Sequence, residues 1–346
     1  MRYLCFGLGA IGTYLGGSLA KAGNKVVFTD HADIGAAVRR QGLRLEMPSG
    51  LHIVSNPVVV SSLEQALALG PYDAALLAIK SFDTPSFLAD IQPYLKELPP
   101  IICFQNGVEN ESLLEEATGS GGVVPATVTS AVGKNGPGDI ILERLRGVGI
   151  YGGHAISKPL LKDFNAAGLN AQPYSDAKAM KWSKLLTNLL ANATSAILDL
   201  TPKEVLDDPL GYRLEIAQLR EALAVMDASN IRVVNLPQVP VKSLAFLARA
   251  LPPIIGRPLL VKVGAKGRGN KMPSFYIDLH AGRKNIEVDY LNGAVVRFGR
   301  RLGIRTPANT LLNTVLLGMA EGRVELTQYS KNPGKLWDAY LQAQSA

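Results

Sequence analysis

The stretch that decides the fold is RYLCFGLGAIGTYLGGSLAKAGNKVVFTD, residues 2–30. Its first five residues are mostly apolar and predict a buried strand, a helical segment follows to Ala22, and a second apolar run extends from Lys25 to Thr29. The turn between the first strand and the helix carries three glycines with GxGxxG spacing: Gly7, Gly9 and Gly12. Together these elements predict the βαβ half-unit of a dinucleotide-binding fold.

The glycine-rich turn is the predicted cofactor site. In such a motif the first glycine permits the tight turn, the second lets the backbone approach a pyrophosphate, and the third lets the helix pack on the strand. Free N–H groups at the helix N-terminus then face the phosphates. The predicted cofactor-binding residues of this turn are Gly7, Leu8, Gly9, Ala10, Ile11 and Gly12.

Asp30, at the end of the second strand, bears on the choice of cofactor. An acid here usually accepts hydrogen bonds from the ribose hydroxyls and repels a 2′-phosphate, which favours NAD over NADP. His31, Arg39 and Arg40 are near in sequence and could offset that repulsion, and Asp30 could instead cap the next helix. We therefore expect NADH or NADPH as the cofactor, with NAD favoured.

Composition limits the protein class. A chain of 346 residues with 47% hydrophobic content predicts two domains with sizeable cores. It has no apolar run long enough to span a bilayer, and it begins directly with the first strand rather than a signal peptide, so we expect no membrane association. Cys5 and Cys103 form no disulfide framework, which predicts a reducing cytoplasm. The four histidines lack metal-ligand spacing, which argues against a metal site.

The net charge of +7 is uneven along the chain, since residues 257–305 contain eleven lysines and arginines against three acids. Three of these basic residues lie close together in a glycine-rich stretch: Lys262, Lys266 and Arg268. A basic stripe can bind nucleic acid, attract an anionic cofactor and substrate, or simply form a solvated surface. With no other support for nucleic-acid binding, we expect none.

The order of elements predicts two fold classes within the chain. Before residue 176 we expect a hairpin (residues 43–46 and 51–54), parallel strands (74–79, 101–104 and 123–129), an antiparallel pair closing the sheet (139–145 with 148–151) and an edge strand (170–174). After it the pattern is helical, with interruptions at residues 252–253 and 264–269. The predicted domains are 1–175 (Rossmann type), 176–325 (helical) and 326–346 (a loosely docked extension).

Polar residues follow two of the predicted parallel strands. Lys80 begins the cluster KSFDT and Asn106 lies within QNG. Ligands of open parallel sheets bind beyond the carboxyl ends of the strands, so both residues are candidates for cofactor or substrate binding. Simple turns are the alternative, since Asn-Gly is a common turn pair.

Two polar sets mark the helical part. The first set is Lys184, Asn188 and Asn192, which are spaced four residues apart among leucines along one face of a predicted helix from Ala177 to Leu198. Polar side chains in such surroundings need hydrogen-bond partners, which an oxygen-rich ligand would supply. A face turned to solvent or to the domain seam is the alternative. Ser274 and Glu287 form the second set, and each could instead be a helix N-cap or a charge at a helix N-terminus.

These residues resemble the ketopantoate reductase (2-dehydropantoate 2-reductase) family, over nearly the whole chain to about residue 320. The motifs that carry the resemblance are Gly7-x-Gly9-x-x-Gly12, Lys80 in K-[ST]-x-x-[TQ], Gln105-Asn106-Gly107, Trp182-x-Lys184-Leu185-x-x-Asn188, Pro273-Ser274 with Asp278, and Glu287-x-Asp289-x-x-Asn292-Gly293. The glycine motif is shared by many families, whereas the lysine–asparagine helix together with E-x-D-x-x-N-G is much more specific.

The resemblance implies an α/β fold of the 6-phosphogluconate-dehydrogenase type, with a Rossmann domain, an all-α domain and an active site in the cleft between them. It implies hydride transfer to the C2 carbonyl of a small anionic 2-oxo acid. Lys184 would be the general acid and Glu287 would bind a substrate hydroxyl or orient Lys184. The residues that would bind substrate oxygens are Asn106, Asn188, Asn192 and Ser274, and Lys80 would lie beside the cofactor.

The sequence departs from the family pattern at several positions. Asp30-His31 stands where NADPH-dependent members usually carry Arg, the stretch from Ser274 to Glu287 is one residue longer than usual, and Phe275 and Ile277 replace the common Met and Gln. These differences leave open a second enzyme hypothesis, an NAD-linked D-2-hydroxyacid dehydrogenase acting on bulkier 2-oxo acids. A third hypothesis is a nucleotide-sensing or nucleic-acid-binding protein that keeps the fold without the catalysis. The apolar helical faces predict a homodimer.

Overall fold

The structure is a computed structural model that describes residues 1–268 and 271–345, without the side chains of residues 253 and 262–268. The chain divides into two compact units. Unit 1 comprises Met1–Lys181 and Leu236–Val239, and unit 2 comprises Trp182–Asn235 and Pro240–Ala346. The prediction of a mixed α/β part followed by an all-α part is confirmed.

Unit 1 is built on strands that follow one another closely along the chain. In chain order they are β1 (Arg2–Phe6), β2 (Lys25–Thr29), β3 (Leu43–Met47), β4 (Gly50–Val54), β5 (Val58–Val60), β6 (Ala74–Leu77), β7 (Ile101–Cys103), β8 (Val123–Val128), β9 (Ala131–Gly136), β10 (Asp139–Arg144), β11 (Val148–Tyr151) and β12 (Ala171–Tyr174). The helices that accompany them are α1 (Ala10–Lys21), α2 (Ala32–Gln41), α3 (Leu63–Ala68), α4 (Thr84–Ile91), α5 (Asn110–Thr118) and α6 (Ser157–Ala166).

The larger sheet has the strand order β12-β11-β8-β7-β6-β1-β2-β5. Its neighbours are parallel except for β8 and β11, which are antiparallel. The central strands are apolar and buried on both faces, as expected when helices cover both sides of a parallel sheet. The edges are β5, which has only three residues, and β12, which contains Pro173.

The two faces of this sheet bury separate cores, because successive residues of a strand point to opposite sides. Along β1, Tyr3 and Cys5 join the core that contains α1 and α6, whereas Leu4 and Phe6 join the core that contains α4 and α5. Strands β1, β6 and β7 each end at a loop that leads into a helix, and these three loops carry candidate residues.

A smaller sheet with the order β4-β3-β10-β9 packs against α1. The predicted hairpin is confirmed, since β3 and β4 pair antiparallel from Leu43↔Val54 to Met47↔Gly50. The predicted pairing of residues 139–145 with 148–151 is wrong. Strand β10 pairs instead with β9 and β3, while β11 joins β8 and the predicted edge strand β12 in the larger sheet.

Unit 2 is helical where the structure describes it. Helix α7 (Ala177–Leu189) begins in unit 1 and continues into unit 2. The helices that follow are α8 (Ala193–Leu198), α9 (Pro202–Asp207), α10 (Pro209–Ala228), α11 (Val241–Ala250), α12 (Pro253–Arg268), α13 (Ser274–His280), α14 (Val288–Leu302), α15 (Pro307–Ala320) and α16 (Pro333–Ser345). The longest, α10, contacts α9, α11, α14, α15 and α16.

A buried polar network joins α10 to two of its neighbours in unit 2. Asn292 of α14 donates through Nδ2 to Gln218 Oε1 and to Asn309 Oδ1, both at 3.0 Å. Asn309 of α15 donates to Gln218 O at 3.0 Å and to Glu221 Oε2 at 2.7 Å. Burial raises the pKa of Glu221, although the N–H groups of Ala308 and Asn309 at the start of α15, which donate to its carboxylate, act in the opposite direction.

Two predictions about the helices need correction. The single predicted helix over residues 177–198 is broken between α7 and α8, where Ala191 adopts a left-handed φ of 48°. Residues 264–268 do not interrupt α12, because an interior glycine costs only about 1 kcal/mol and packing can offset it. Residues 269 and 270 lie outside the described part.

The tail is not loosely docked, since α16 packs on α10 and α15 with Leu336 and Tyr340 buried.

Among the described residues, none of the helices combines the length and apolar character needed to cross a membrane.

Candidate active site

The glycine turn of unit 1 has the geometry that dinucleotide binding requires. Gly7 has a φ of 93°, and a Cβ on Gly12 would lie 1.8 Å from the carbonyl oxygen of Gly7, so neither position accepts a side chain without rearrangement. A Cβ on Gly9 would meet no atom within 4 Å. Gly9 immediately precedes α1, whose first turn contains no acid. A phosphate could therefore approach the N–H groups at the start of α1 through open space.

Asp30 is tied directly to this turn. Its Oδ2 accepts a hydrogen bond from Leu8 N at 2.5 Å and its Oδ1 accepts one from His31 N at 2.7 Å. The alternative that Asp30 caps α2 is wrong, because α2 starts after His31 and has no side-chain cap. Arg39, which could have offset the charge of Asp30, donates to Val59 O at 2.8 Å. The carboxylate is thus half-buried beside the glycine turn, the position at which an acid binds the ribose in dinucleotide-binding folds.

The loops that carry Lys80 and Asn106 are joined by a buried hydrogen-bond network. Gln105 Nε2 donates to Lys80 O at 3.1 Å and to the Thr84 hydroxyl at 2.9 Å. Asn110 Nδ2 donates to Asn106 O at 2.7 Å and to the Ser81 hydroxyl at 3.2 Å. The network fixes both backbones at the carboxyl ends of neighbouring strands.

Beneath the second of these loops lies an ion pair that sequence reasoning missed. Lys181 Nζ lies 2.6 Å from Glu111 Oε1 and donates to Gln105 O at 2.6 Å and Ala126 O at 3.3 Å. Burial by itself would lower the pKa of Lys181, but the adjacent Glu111 carboxylate reverses this and holds the pKa above its ordinary value. The only sequence signal is a lysine between the apolar residues Met180 and Trp182.

In unit 2, Lys184 and Asn188 lie one turn apart on α7, both half-buried. Asn192 lies beyond the break after α7, so the three residues do not lie along one continuous helix as predicted. The break is held by the buried carboxylate of Glu215, which accepts hydrogen bonds from Ala191 N at 2.7 Å and the Thr194 hydroxyl at 2.5 Å.

The break redirects Asn192 toward α13. Asn192 is buried, and its Oδ1 accepts a hydrogen bond from Phe275 N at 3.3 Å, next to the candidate Ser274. Ser274 is the exposed first residue of α13 and makes no capping bond, so the N-cap alternative for Ser274 is wrong. The structure thus brings Asn192 and Ser274 together through the start of α13.

In the E-x-D-x-x-N-G motif, Glu287 is a candidate site residue, whereas Asp289 and Asn292 have structural partners. Glu287 is buried at the N-cap position of α14 and makes no side-chain capping hydrogen bond there, so the alternative of a charge at a helix N-terminus still stands beside a role in the site. Asp289 pairs with Arg297 at 2.8 Å and accepts from Asn313 Nδ2 at 3.2 Å. Asn292 belongs to the network around α10 described above.

The basic stripe of residues 257–305 is not a uniform free surface. Arg283 pairs with Asp278 at 3.0 Å, Arg297 pairs with Asp289, and the guanidinium of Arg301 lies 4.2 Å from the centre of the Phe298 ring. The side chains of Lys262, Lys266 and Arg268 lie outside the described part.

Two family models match this chain. The model "Ketopantoate reductase PanE/ApbA" matches residues 3–152, and "Ketopantoate reductase PanE/ApbA C terminal" matches residues 176–320. Together they cover most of the sequence and include every candidate residue.

Known proteins similar to this chain agree with the family models. A 2-dehydropantoate 2-reductase from Pyrococcus horikoshii is 25% identical over 90% of this chain and 95% of its own. The crystal structure of a PanE/ApbA family ketopantoate reductase from Ralstonia eutropha JMP134 has a TM-score of 0.78 at 27% identity, covering 93% of this chain and 99% of that one. A D-mandelate dehydrogenase in a ternary structure with NADH and anilino(oxo)acetate has a TM-score of 0.76 at 21% identity, with the same coverage, and shows the shared fold alone.

Proposed function

Because this chain belongs to the ketopantoate reductase family, we propose that it reduces 2-dehydropantoate to D-pantoate with a nicotinamide cofactor. The observation that carries the proposal is the arrangement in unit 2. Lys184 and Asn188 lie one turn apart on α7, and the glutamate-held break after α7 joins Asn192 to the start of α13 at Ser274. An ammonium accompanied by amide and hydroxyl groups suits a small acid rich in oxygens.

The residues of unit 1 fit a dinucleotide. The open approach at Gly9 and the acid-free first turn of α1 would accept the pyrophosphate, and Asp30 would accept hydrogen bonds from the ribose. When bound, NADH or NADPH supplies the hydride that reduces the C2 carbonyl. Lys80 and Asn106, fixed by the network around Gln105, would flank the reacting end of the cofactor and the substrate.

In the proposed reaction Lys184 acts as the general acid. As C2 accepts the hydride, the carbonyl oxygen gains negative charge, which the Lys184 ammonium would stabilise before it donates its proton to that oxygen. Asn188, Asn192 and Ser274 would bind the carboxylate and hydroxyl oxygens of the substrate. The buried Glu287 would accept a hydrogen bond from the substrate hydroxyl or orient Lys184.

We further propose that NADH is preferred. Asp30 lies beside the glycine turn, and its carboxylate would repel a 2′-phosphate on the adenosine ribose. Arg39 donates to Val59 O but keeps its charge, so it remains with the exposed His31 and Arg40 among the nearby basic residues that could counter that repulsion.

A second candidate function is an NAD-linked D-2-hydroxyacid dehydrogenase acting on bulkier 2-oxo acids. Asp30 favours it, as does the likeness in fold to the D-mandelate dehydrogenase. Of the two unusual residues on α13, Phe275 is buried and Ile277 is 49% exposed. Burial of Phe275 in the core of unit 2 weakens the case that both residues shape a larger substrate wall.

Steady-state kinetics with matched substrates would test these proposals. We would compare 2-dehydropantoate, its isostere 3,3-dimethyl-2-oxobutanoate, which lacks only the hydroxyl, and phenylglyoxylate, each with NADH and NADPH. A site built to bind the hydroxyl should reduce the isostere with a kcat/KM lower by up to about 10⁴-fold. Preference for phenylglyoxylate would favour the second candidate, and no turnover of any of them by protein that binds NADH would refute both.

We also propose that the protein is a cytoplasmic homodimer. Its two cysteines are buried free thiols, which suits a reducing compartment. Large apolar side chains are exposed around α11 and α12 of unit 2, namely Phe246, Ile254, Ile255 and Leu259. Such a group of side chains suits a subunit interface. Light scattering after gel filtration would test it, since Ile254→Lys should shift a dimer toward monomer and a wild-type monomer would refute it.

A further inference from the structure

A cavity in unit 2 is separate from the candidate residues of the active site. It has a volume of about 220 Å³ and is bounded by α10, by Leu251 after α11, and by α16. Aromatic side chains form much of its wall: Tyr212, Trp337 and Tyr340. The last two belong to α16, which lies beyond residue 320, where the family model ends. The proposed reaction makes no use of this cavity.

Two arginines that form no ion pair with the described residues line the cavity. Arg213 and Arg220 line it, and Arg257 is close enough to influence Tyr212. Arg220 Nε donates to Ala248 O at 2.6 Å, which leaves its terminal nitrogens available. Within residues 1–268 and 271–345, none of these three arginines forms an ion pair with an acid. An anion entering the cavity would therefore be attracted without displacing an existing carboxylate.

Tyr212 adds a hydroxyl group to the wall of the cavity. Tyr212 is 1% exposed and lines the cavity, yet its hydroxyl forms no hydrogen bond with any residue that the structure describes. Burial raises the pKa of Tyr212, while Arg220 and Arg257 act in the opposite direction. The neutral hydroxyl can therefore donate a hydrogen bond to an anion beside Tyr212.

We propose that this cavity binds a small organic anion, a carboxylate attached to a flat aromatic body. The body would lie between Trp337, Tyr340 and Ile216, and the carboxylate would accept hydrogen bonds from Arg213, Arg220 and the Tyr212 hydroxyl. The volume is too small for a whole dinucleotide, because the pockets of drug-sized ligands already measure roughly 300–1,000 Å³. The site is independent of the proposed reduction and would exist whether or not that activity is found.

Calorimetric titration of the full-length protein with 1-naphthoate would test the proposal, with neutral 1-naphthamide as the matched ligand. The naphthoate should bind at least tenfold more tightly than the amide. Arg213→Gln should weaken naphthoate binding about tenfold and Tyr212→Phe about threefold, since each removes a donor to the anion. The control Arg232→Gln changes an exposed arginine of unit 2 away from the cavity and should leave the affinity unchanged.

Two further measurements locate the bound anion. The chain has two tryptophans, so Trp182→Phe leaves Trp337 as the sole indole, and its fluorescence should change on titration. Binding at the proposed substrate site would instead be lost in Lys184→Met and retained in Arg213→Gln. Equal affinities for the acid and the amide, an unchanged affinity in Arg213→Gln, or no binding of 1-naphthoate at millimolar concentration would each overturn the proposal.

Discussion

The buried ion pair between Lys181 and Glu111 offers the sharpest test of how unit 1 is held together. The two side chains are only 5% and 12% exposed, so solvent screens their interaction weakly. The same ammonium donates to the carbonyls of Gln105 and Ala126. Lys181→Met keeps most of the side-chain volume but leaves one carboxylate and two carbonyls without their donor.

We expect Lys181→Met to lower the free energy of unfolding of unit 1 by about 3–5 kcal/mol, the usual result of removing one partner from a buried pair. The double variant Lys181→Met/Glu111→Leu also removes the buried negative charge. It should therefore recover much of the loss and remain about 1–3 kcal/mol less stable than wild type because of the unsatisfied carbonyls. For a unit of this size the single variant should lower the Tm by about 6–20 °C.

Urea and thermal unfolding followed by circular dichroism would measure these effects. Lys178→Met changes an exposed lysine on the same helix and should alter stability by less than about 0.5 kcal/mol. Because Glu111 raises the pKa of folded Lys181 above its ordinary 10.5, the contribution of the ammonium is complete below pH 10.5 and is lost at higher pH. Equal destabilisation in the single and double variants, or a loss under about 1 kcal/mol in Lys181→Met, would refute this account.

Three further predictions concern the proposed active site. Lys184→Met should lower kcat by about 10²–10⁴-fold with little change in NADH affinity, because it removes the general acid; turnover near the wild-type rate would exclude that role. Asp30→Ala should raise kcat/KM with NADPH relative to NADH, and an unchanged ratio would show that Asp30 does not contact the ribose. Gly12→Ala should destabilise unit 1 because its Cβ would lie 1.8 Å from Gly7 O, whereas Gly9→Ala should fold normally and weaken NADH binding about tenfold. Equal stability of the two alanine variants in thermal unfolding would contradict this last assignment.

Local patterns predicted the parts of the fold that local forces determine. The glycine turn, the apolar runs of β1, β6 and β7, and the hairpin of β3 and β4 all follow from steric and hydrophobic rules that act within a few residues. The pairing of β10 does not follow from such rules. A strand with alternating polarity can pair in either sheet, and the pairing of β10 with β3 depends on packing against α1. Sequence proximity to β11 suggested the wrong partner.

The candidate site shows the same division between local and long-range causes. The four-residue spacing of Lys184 and Asn188 correctly predicted that both lie on one helix. The sequence near Ala191 gives no signal of the helix break that separates Asn192 from these two residues. That break depends on Glu215, which is 24 residues away. Lys181 was missed for a related reason, since its partners Gln105 and Glu111 precede it by at least 70 residues.

The two edges of the larger sheet affect how copies of this chain can associate. An exposed edge strand can recruit a strand from another molecule, which leads to open-ended polymers and aggregation. Here one edge, β5, offers only three residues, and the other, β12, contains Pro173, which has no N–H to donate. Growth of this sheet by strand addition is therefore disfavoured at both ends, which limits its capacity to act as a template for another chain.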